Sequence, residues 1–376
     1  MEIRLLAILG YLLVIAICLS LTACIFFHQA KFGKLPKGNR LDRIQASVNF
    51  RNGKFHNQTP TPKFTQDGSL VSVVWNGLFD KTERLVPEGL IPAVKTDLKA
   101  LAASGRDALV WLGHSSWFIQ VRGQRILVDP VFSDYAAPFS FLNKAFPGTN
   151  IYEAGDIPEI DCVLISHDHW DHLDHPTMMA LQSKVKQVIC PLGIGACFEH
   201  WGYPKEKILE GDWYDRIVPA EDLIVHVMPA RHYSGRLFKG NQTLWAGFVL
   251  ETPDRKIFYS GDSGYGPHFL DIGKAFNGFD LALLDCGQYD PRWANIHMTP
   301  EEASRAAMDL GAKSMIPAHV GRFAIARHPW DAPFQQLTKA GRDTPYRLLT
   351  PKIGEPVILN GRQSQFSSWW LAEDKF

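Results

Sequence analysis

The hexapeptide His167-Asp168-His169-Trp170-Asp171-His172, which follows directly on the apolar run Cys162-Val163-Leu164-Ile165-Ser166, constrains this chain more than any other feature. A short apolar run bounded by polar residues reads as a buried strand. In extended backbone, residues two apart project to the same side, so His167 and His169 can grip one ion together. The chain must then turn, and Asp171 with His172 can face a second ion. Desolvating so many polar groups at the mouth of a strand would cost several kcal/mol without a metal or dense hydrogen bonding. The segment is therefore read as the nucleus of a two-metal site. Imidazole and carboxylate donors without a thiolate suit zinc, with manganese or iron left open. There is no Cys-x-x-Cys to suggest a thiolate site.

The body around this segment has a globular composition, 46% apolar and 21% charged over 376 residues. Lysine plus arginine equals aspartate plus glutamate at 39 each, so no excess charge draws the fold onto polyanions, and nucleic acid is a poor candidate partner. A regular pattern begins at Ala108. The run from Ala108 to Val121 and the run from Ile126 to Phe132, separated by Arg122-Gly123-Gln124-Arg125, read as two strands of a hairpin. Further buried strands are expected at 162–166, 187–190, 223–229, 244–250, 256–260, 281–285 and 314–317, with helices at 176–183, 194–201 and 300–310. Thr299-Pro300-Glu301-Glu302 is a helix opening with a cap residue, an N1 proline and first-turn acids. Strands first in meander and later interleaved with helices imply two sheets flanked by helices. No internal repeat is visible. The expected organisation is an anchor or signal over 1–27, an arm packed on the domain over 28–104, the main domain over 105–360 and a tail over 361–376.

From Leu5 to Phe27 the chain carries no charge, long enough to cross about 30 Å of hydrocarbon and longer than a typical cleavable leader core. A membrane anchor is expected. Two features disagree over sidedness: Leu21-Thr22-Ala23-Cys24 is similar to a bacterial lipobox, whereas Lys31, Lys34, Lys37, Arg40 and Arg43 follow the apolar run and favour a cytoplasmic body. Cysteines 162, 190 and 286 lie in apolar runs and read as buried free thiols.

With these motifs in place, the sequence resembles the metallo-β-lactamase superfamily, and within it the branch of N-acyl-phosphatidylethanolamine-hydrolysing phospholipases D and related bacterial proteins. The likeness runs from about Ala108 to Glu355. It is carried by Gly113-His114-Ser115, Leu127-Val128-Asp129-Pro130, Leu164-Ile165-Ser166-His167, Gly261-Asp262-Ser263-Gly264-Tyr265, Tyr289-Asp290-Pro291-Arg292-Trp293, and His297 ahead of Pro300-Glu301-Glu302-Ala303. The resemblance implies an αββα four-layer sandwich. It implies that His167, His169 and His232 hold one zinc, that Asp171, His172 and His319 hold the other, and that Asp262 bridges them. Each of these residues stands at or just beyond the end of an expected strand. Flavo-diiron relatives usually carry an acid where this chain has His169, which favours hydrolysis over redox chemistry.

The implied activity is hydrolysis of N-acyl phosphatidylethanolamine or a related phospholipid on its phosphatidate side. Two cations about 4 Å apart would lower the pKa of a shared water to supply the nucleophile. Asp171 is expected as ligand first and proton acceptor second. His297 is expected to orient the phosphate or protonate the leaving oxygen. Tyr289 and Arg292 are candidate head-group contacts, with a structural pair to Asp290 as the alternative for Arg292. Asp129 is expected to accept a ligand histidine's free N–H, and His114 to be structural. Trp170, Trp293, Trp369 and Trp370 are read chiefly as packing, with a lipid entrance as the other use. Val320-Gly321 stands where the phospholipase usually has Trp-Gly, so the substrate transfers less securely than the metals. The alternatives are a hydrolase of a lactone, β-lactam or cyclic phosphate on the same metals, and a non-catalytic metal-binding membrane protein. The expected partners are a phospholipid substrate and the membrane, with a homodimer left open.

Overall fold

The structure, a computed structural model, describes residues 2–65, 68–69, 71–72, 75, 79, 81–236, 239–360 and 365–371, and only the backbone of residues 2, 3 and 5–8. Met1, Gln66 and parts of the expected tail, 361–364 and 372–376, lie outside the described residues.

The first element is a long helix, α1 (Glu2–Phe27), whose apolar window from Leu9 to Phe27 is 0% buried. Its length and composition suffice to cross a membrane. After it come α2 (Asn39–Ala46), a small ribbon of β1 (Phe50–Arg51) and β2 (Lys54–Phe55), and α3 (Leu98–Ala103), capped by the Asp97 carboxylate.

Two seven-stranded sheets form the body. The first contains β3 (Ala108–Gly113), β4 (Ser116–Val121), β5 (Gln124–Val128), β6 (Ile160–Leu164), β7 (Val185–Pro191) and β8 (Ile208–Gly211). The second contains β9 (Arg216–Ala220), β10 (Leu223–Met228), β11 (Gly247–Thr252), β12 (Arg255–Tyr259), β13 (Leu281–Asp285), β14 (Ser314–Ala318) and β15 (Arg347–Leu348). The last strand, β16 (Pro356–Ile358), returns to pair antiparallel with β3. Each sheet runs as an antiparallel meander that continues into parallel strands, β3 to β5 then β6 to β8, and β9 to β12 then β13 to β15. The topology thus repeats where the sequence shows no repeat.

Strand period explains the layering. In β4, Trp117, Ile119 and Val121 enter a core shared with Val225, Val227, Phe248 and Ile257 of the second sheet, so the sheets pack face to face. Phe118 points the other way, into a core with Met178, Leu181 and Phe198 from α4 (His175–Leu181) and α5 (Gly195–His200). On the far side, Phe269, Ile272, Ala303, Ala306 and Leu337 from α6 (His268–Phe276), α7 (Pro300–Asp309) and α8 (Ala332–Ala340) cover the second sheet. Strands buried on both faces read as near-continuous apolar runs, which is why β6 and β13 stand out in the sequence. The result is an αββα four-layer sandwich.

One expected strand is really two. The run from Ala108 to Val121 folds back at His114-Ser115, with Gly113 opposite Ser116 and His114 at φ 55°. Gly113-His114-Ser115-Ser116 marks the turn in the sequence, and its polar residues are buried along with both flanking strands. Reversal there carries His114 to the sandwich rim. The cap at Thr299 forms as expected, with Glu302 N–H donating to Thr299 Oγ1 and Thr299 N–H to Glu302 Oε2. Trp369 and Trp370 are buried against Phe334, so they pack in the core and do not line an entrance.

The segment before β3 is fastened to the body at several points. Lys31 Nζ donates to the Pro138 carbonyl at 2.7 Å, the Asn57 amide to the His232 carbonyl at 2.7 Å, and Arg40 pairs with buried Glu210.

Candidate metal centre

All the expected ligand positions lie at one rim of the sandwich. His167 to His172 occupy the loop leaving β6, turned by hydrogen bonds from the backbone N–H groups of His172 and Leu173 to the His169 carbonyl, 3.2 and 2.9 Å. Asp174 then caps α4 through Thr177 N–H at 3.3 Å and accepts from Ser133 Oγ at 2.8 Å, which closes the loop. His232 follows β10, Asp262 follows β12 and His319 follows β14. His319 itself has φ 61°, and a side chain on Gly287 would strike its carbonyl oxygen at 1.8 Å, so a glycine is required beside it.

The donors form overlapping groups. His167, His169, His232 and Asp262 offer atoms within 4.8 Å of one another, as do His114, Asp171, His172 and His319, and also Asp262, Asp285, His297 and His319. In the first, His169 Nδ1 stands 2.9 Å from His167 Nε2 and 3.2 Å from His232 Nε2. In the second, Asp171 Oδ2 lies 3.0 Å from His319 Nε2 and 3.5 Å from His172 Nε2. Asp262 touches both: Oδ1 is 3.1 Å from His172 Nε2, and Oδ2 is 3.2 Å from His319 Nε2, 3.6 Å from His167 Nε2 and 3.7 Å from His232 Nε2.

Buried polar atoms without partners test whether a metal fits. His172 Nε2 and Asp262 Oδ1 are close, yet neither makes a hydrogen bond, and His169 Nε2 is likewise unsatisfied. Leaving such atoms bare costs about 1–3 kcal/mol each, and a bound cation removes that cost. The donor set therefore fits divalent metal.

Outer residues fix the rings. Asp129 accepts from His172 Nδ1 at 2.8 Å, Tyr259 OH at 2.6 Å and Ser166 N–H at 2.7 Å, so it supports a site histidine as the sequence suggested. The Ile296 carbonyl accepts from His232 Nδ1 at 3.0 Å. Asp285, fully buried, accepts from His319 Nδ1 at 3.2 Å and from His297 Nδ1 at 2.8 Å. Each tether leaves Nε2 for the site, the usual division of labour in metal-binding histidines.

Electrostatics divide the centre. Burial holds His167, His169 and His232 well below the ordinary histidine range, so these rings are neutral. Burial also opposes charge on His172 and His319, but facing carboxylates outweigh it: Asp262 and Asp171 push His172 well up, and Asp262 and Asp285 push His319 up to about 10. Asp171 is held well below its ordinary value, the opposing effect of burial being overcome first by His172. Metal entering the His172 and His319 side must therefore displace protons.

The remaining sequence candidates separate. His297 reaches the centre, its ring stacked at 4.9 Å on His319. Tyr289 instead donates to Gln336 at 3.0 Å and stacks on His328, and Arg292 forks onto Asp290 at 2.7 and 2.5 Å. The structural alternative for Arg292 is the one formed. His114, expected to be structural, lies within the site: burial pushes it down to about 3, so neutral Nε2–H donates to Asp171 Oδ2 at 2.9 Å. Sequence reasoning missed Asp285, although it ends an apolar strand as the ligands do. It also missed Tyr233, whose ring meets His169 at 4.4 Å, and Lys63, whose Nζ sits 3.8 Å from the centre of that ring.

Fold and rim together define a hydrolase class, and residues 124–320 match the family described as the beta-lactamase superfamily domain. The chain belongs to the metallo-β-lactamase superfamily and is a metal-dependent hydrolase. Among its relatives, the uncharacterized protein Rv0906 of Mycobacterium tuberculosis is 36% identical over 331 residues, covering 87% of this chain and 88% of that one. The mitochondrial N-acyl-phosphatidylethanolamine-hydrolyzing phospholipase D of Saccharomyces cerevisiae is 33% identical over 241 residues, 60% of this chain and 50% of that one. The solved structure of Igni18, a metallo hydrolase of Ignicoccus hospitalis, superposes with a TM-score of 0.51 at 20% identity over 67% of this chain and 97% of its own, which supports the fold.

Proposed function

We propose that the chain is a dizinc phosphodiesterase that cleaves N-acyl phosphatidylethanolamine, or a closely related phospholipid, on the phosphatidate side. The observation that carries this reading is the Asp262 carboxylate, within 3.7 Å of histidines from both donor groups, with His297 packed against the same rim. His167, His169 and His232 would hold one cation, Asp171, His172 and His319 the other, with Asp262 common to both. Bound divalent cations supply a water-derived nucleophile at neutral pH and offset charge on the phosphate oxygens.

The chain's own groups do the rest. Asp171, steadied by His114, orients the nucleophile. His297 is fixed through Nδ1 by Asp285, so Nε2 is the atom that delivers a proton to the leaving oxygen. Lys63 beside Tyr233 places a cation next to the histidines, suited to an anionic phosphate. The exposed apolar α1 holds this rim at a bilayer, where a diacyl substrate resides. The similarity to the yeast phospholipase D supports the substrate class.

The test is a panel: purified full-length protein against N-acyl phosphatidylethanolamine, a generic phosphodiester and a lactone, with products identified by mass spectrometry. Release of phosphatidate and N-acylethanolamine is expected. Turnover of the lactone alone would overturn the assignment. Labelling with a fatty-acid analogue, with Cys24→Ala as control, decides whether Cys24 carries lipid.

A further inference from the structure

Behind the metal-bearing loop, at the foot of α1, lies a cavity of about 580 Å³ that the proposed reaction does not use. Phe27, Phe32 and Leu35 give it an apolar wall, and Lys34 and Lys239 stand at its exposed rim. Neither ammonium has a partner among the described residues. Asp168 is the acid in the lining, and its carboxylate is already engaged by Gly235 N–H at 2.7 Å and Thr243 Oγ1 at 3.0 Å. The cavity therefore offers apolar surface and uncompensated positive charge together, at the end of a helix long enough to span a membrane.

We propose that this cavity binds one anionic phospholipid of the host membrane, its phosphate between Lys34 and Lys239 and an acyl chain along Phe27, Phe32 and Leu35. Charge complementarity selects an anionic head group, and the apolar wall selects a lipid over free phosphate. The volume falls within the usual range of about 300–1,000 Å³ for ligand sites. The proposal rests on α1 being a membrane anchor but not on which substrate the metal rim cleaves.

Arg236 makes the site more than a passive contact. Its guanidinium donates to the Lys31 carbonyl at 2.9 Å, just past α1, and to the carbonyls of Asp168 and Leu173 at 2.9 and 2.6 Å, in the metal-bearing loop. It also lies 4.0 Å from the centre of the Trp170 ring, which Phe32 meets edge-on at 5.2 Å. A lipid seated against Phe32 thus lies next to the residues that hold the loop between His167 and His172.

The experiment reconstitutes the full chain in nanodiscs of phosphatidylcholine doped with phosphatidylglycerol and counts retained lipid by native mass spectrometry after release from the disc. The wild type is expected to keep one phosphatidylglycerol in excess of the disc composition. Lys34→Glu/Lys239→Glu should lower that retention about 30-fold, corresponding to about 2 kcal/mol, at unchanged helical content. Lys34→Gln/Lys239→Gln, the gentler pair, should show an intermediate loss. Glycerol phosphate added to the wild type should not displace the lipid. Equal retention by wild type and both variants, no preference over phosphatidylcholine, or failure of the chain to enter nanodiscs would each overturn the proposal. The count needs no turnover, so failure of the substrate panel leaves it standing.

Discussion

Replacing Asp129 by asparagine exchanges one carboxylate oxygen for an NH2 group of the same size, and the surroundings of that carboxylate determine the outcome. Asp129 is fully buried, and every bond to it is a donor's: Ser166 N–H at 2.7 Å on Oδ1, then Ser166 Oγ at 2.5 Å, Tyr259 OH at 2.6 Å and His172 Nδ1 at 2.8 Å on Oδ2. An asparagine oxygen can replace only one of the two. With NH2 at the first position it opposes a backbone N–H that cannot turn away. With NH2 at the second it opposes the His172 N–H and leaves that ring free to rotate. Either way at least one charge-assisted bond becomes a donor–donor contact, at a cost of about 2–4 kcal/mol. The histidine that loses a direct bond belongs to one donor group; His167 of the other group is reached only indirectly, through Ser166 Oγ at 3.0 Å from its Nδ1. Asp129→Asn should therefore weaken the cation at Asp171, His172 and His319 about 10- to 100-fold and leave the one at His167, His169 and His232 within about 3-fold. Zinc titration against a competing chelator, resolved into two steps, measures both. Equal weakening of both steps, or no weakening of either, would refute the reasoning.

His297→Gln should lower kcat about 100- to 10,000-fold with metal content unchanged, read by steady-state assay and elemental analysis; loss of a cation would make His297 a ligand instead. Arg40→Met should cost about 3 kcal/mol in urea unfolding, because it leaves Glu210, whose side chain is 1% exposed, with the Gly193 and Gly195 N–H groups and only the longer 3.8 Å contact from half-exposed Arg43; a change under about 1 kcal/mol would show that the pair is dispensable. Asp161 is held below its ordinary value, with Arg125 and Lys186 outweighing burial. Its contribution is thus present above the unfolded carboxylate pKa of about 4 and lost as pH falls through the lower native value. Asp161→Asn should be less stable than wild type by about 1 kcal/mol at pH 7, with the gap closing in that acid window, as thermal melts across pH would record.

Much of the centre was legible because it is encoded locally or by strand ends. Three histidines within six residues after an apolar run announce a metal without reference to the rest of the chain, and β13 and β14 were readable because strands buried on both faces leave unbroken apolar runs. What escaped depends on long-range contact. Asp285 gains its role only when β13 pairs beside β14 and brings His319 within 3.2 Å. His114 joins the rim through a reversal at Gly113-His114-Ser115-Ser116, a short polar break that reads as part of one strand until β3 and β4 pair across it. Strand β9 is short, half exposed and interrupted by Pro219, so its edge position had to come from pairing with β10. Lys63 lies far from the motifs in sequence, and only the path of the segment before β3 sets it over Tyr233. Arg292, a candidate head-group contact with a pair to Asp290 as the alternative, forms that pair.

In the proposed reaction one carboxylate, Asp262, unites two cations into a hydrolytic centre. Metal content per chain, measured together with lipid-product mass spectrometry on the wild type and Asp262→Ala, tests it most directly. The wild type should hold two divalent cations and release phosphatidate with N-acylethanolamine, and the variant should lose metal and product together. Release of the same products at the same rate by both proteins would contradict it.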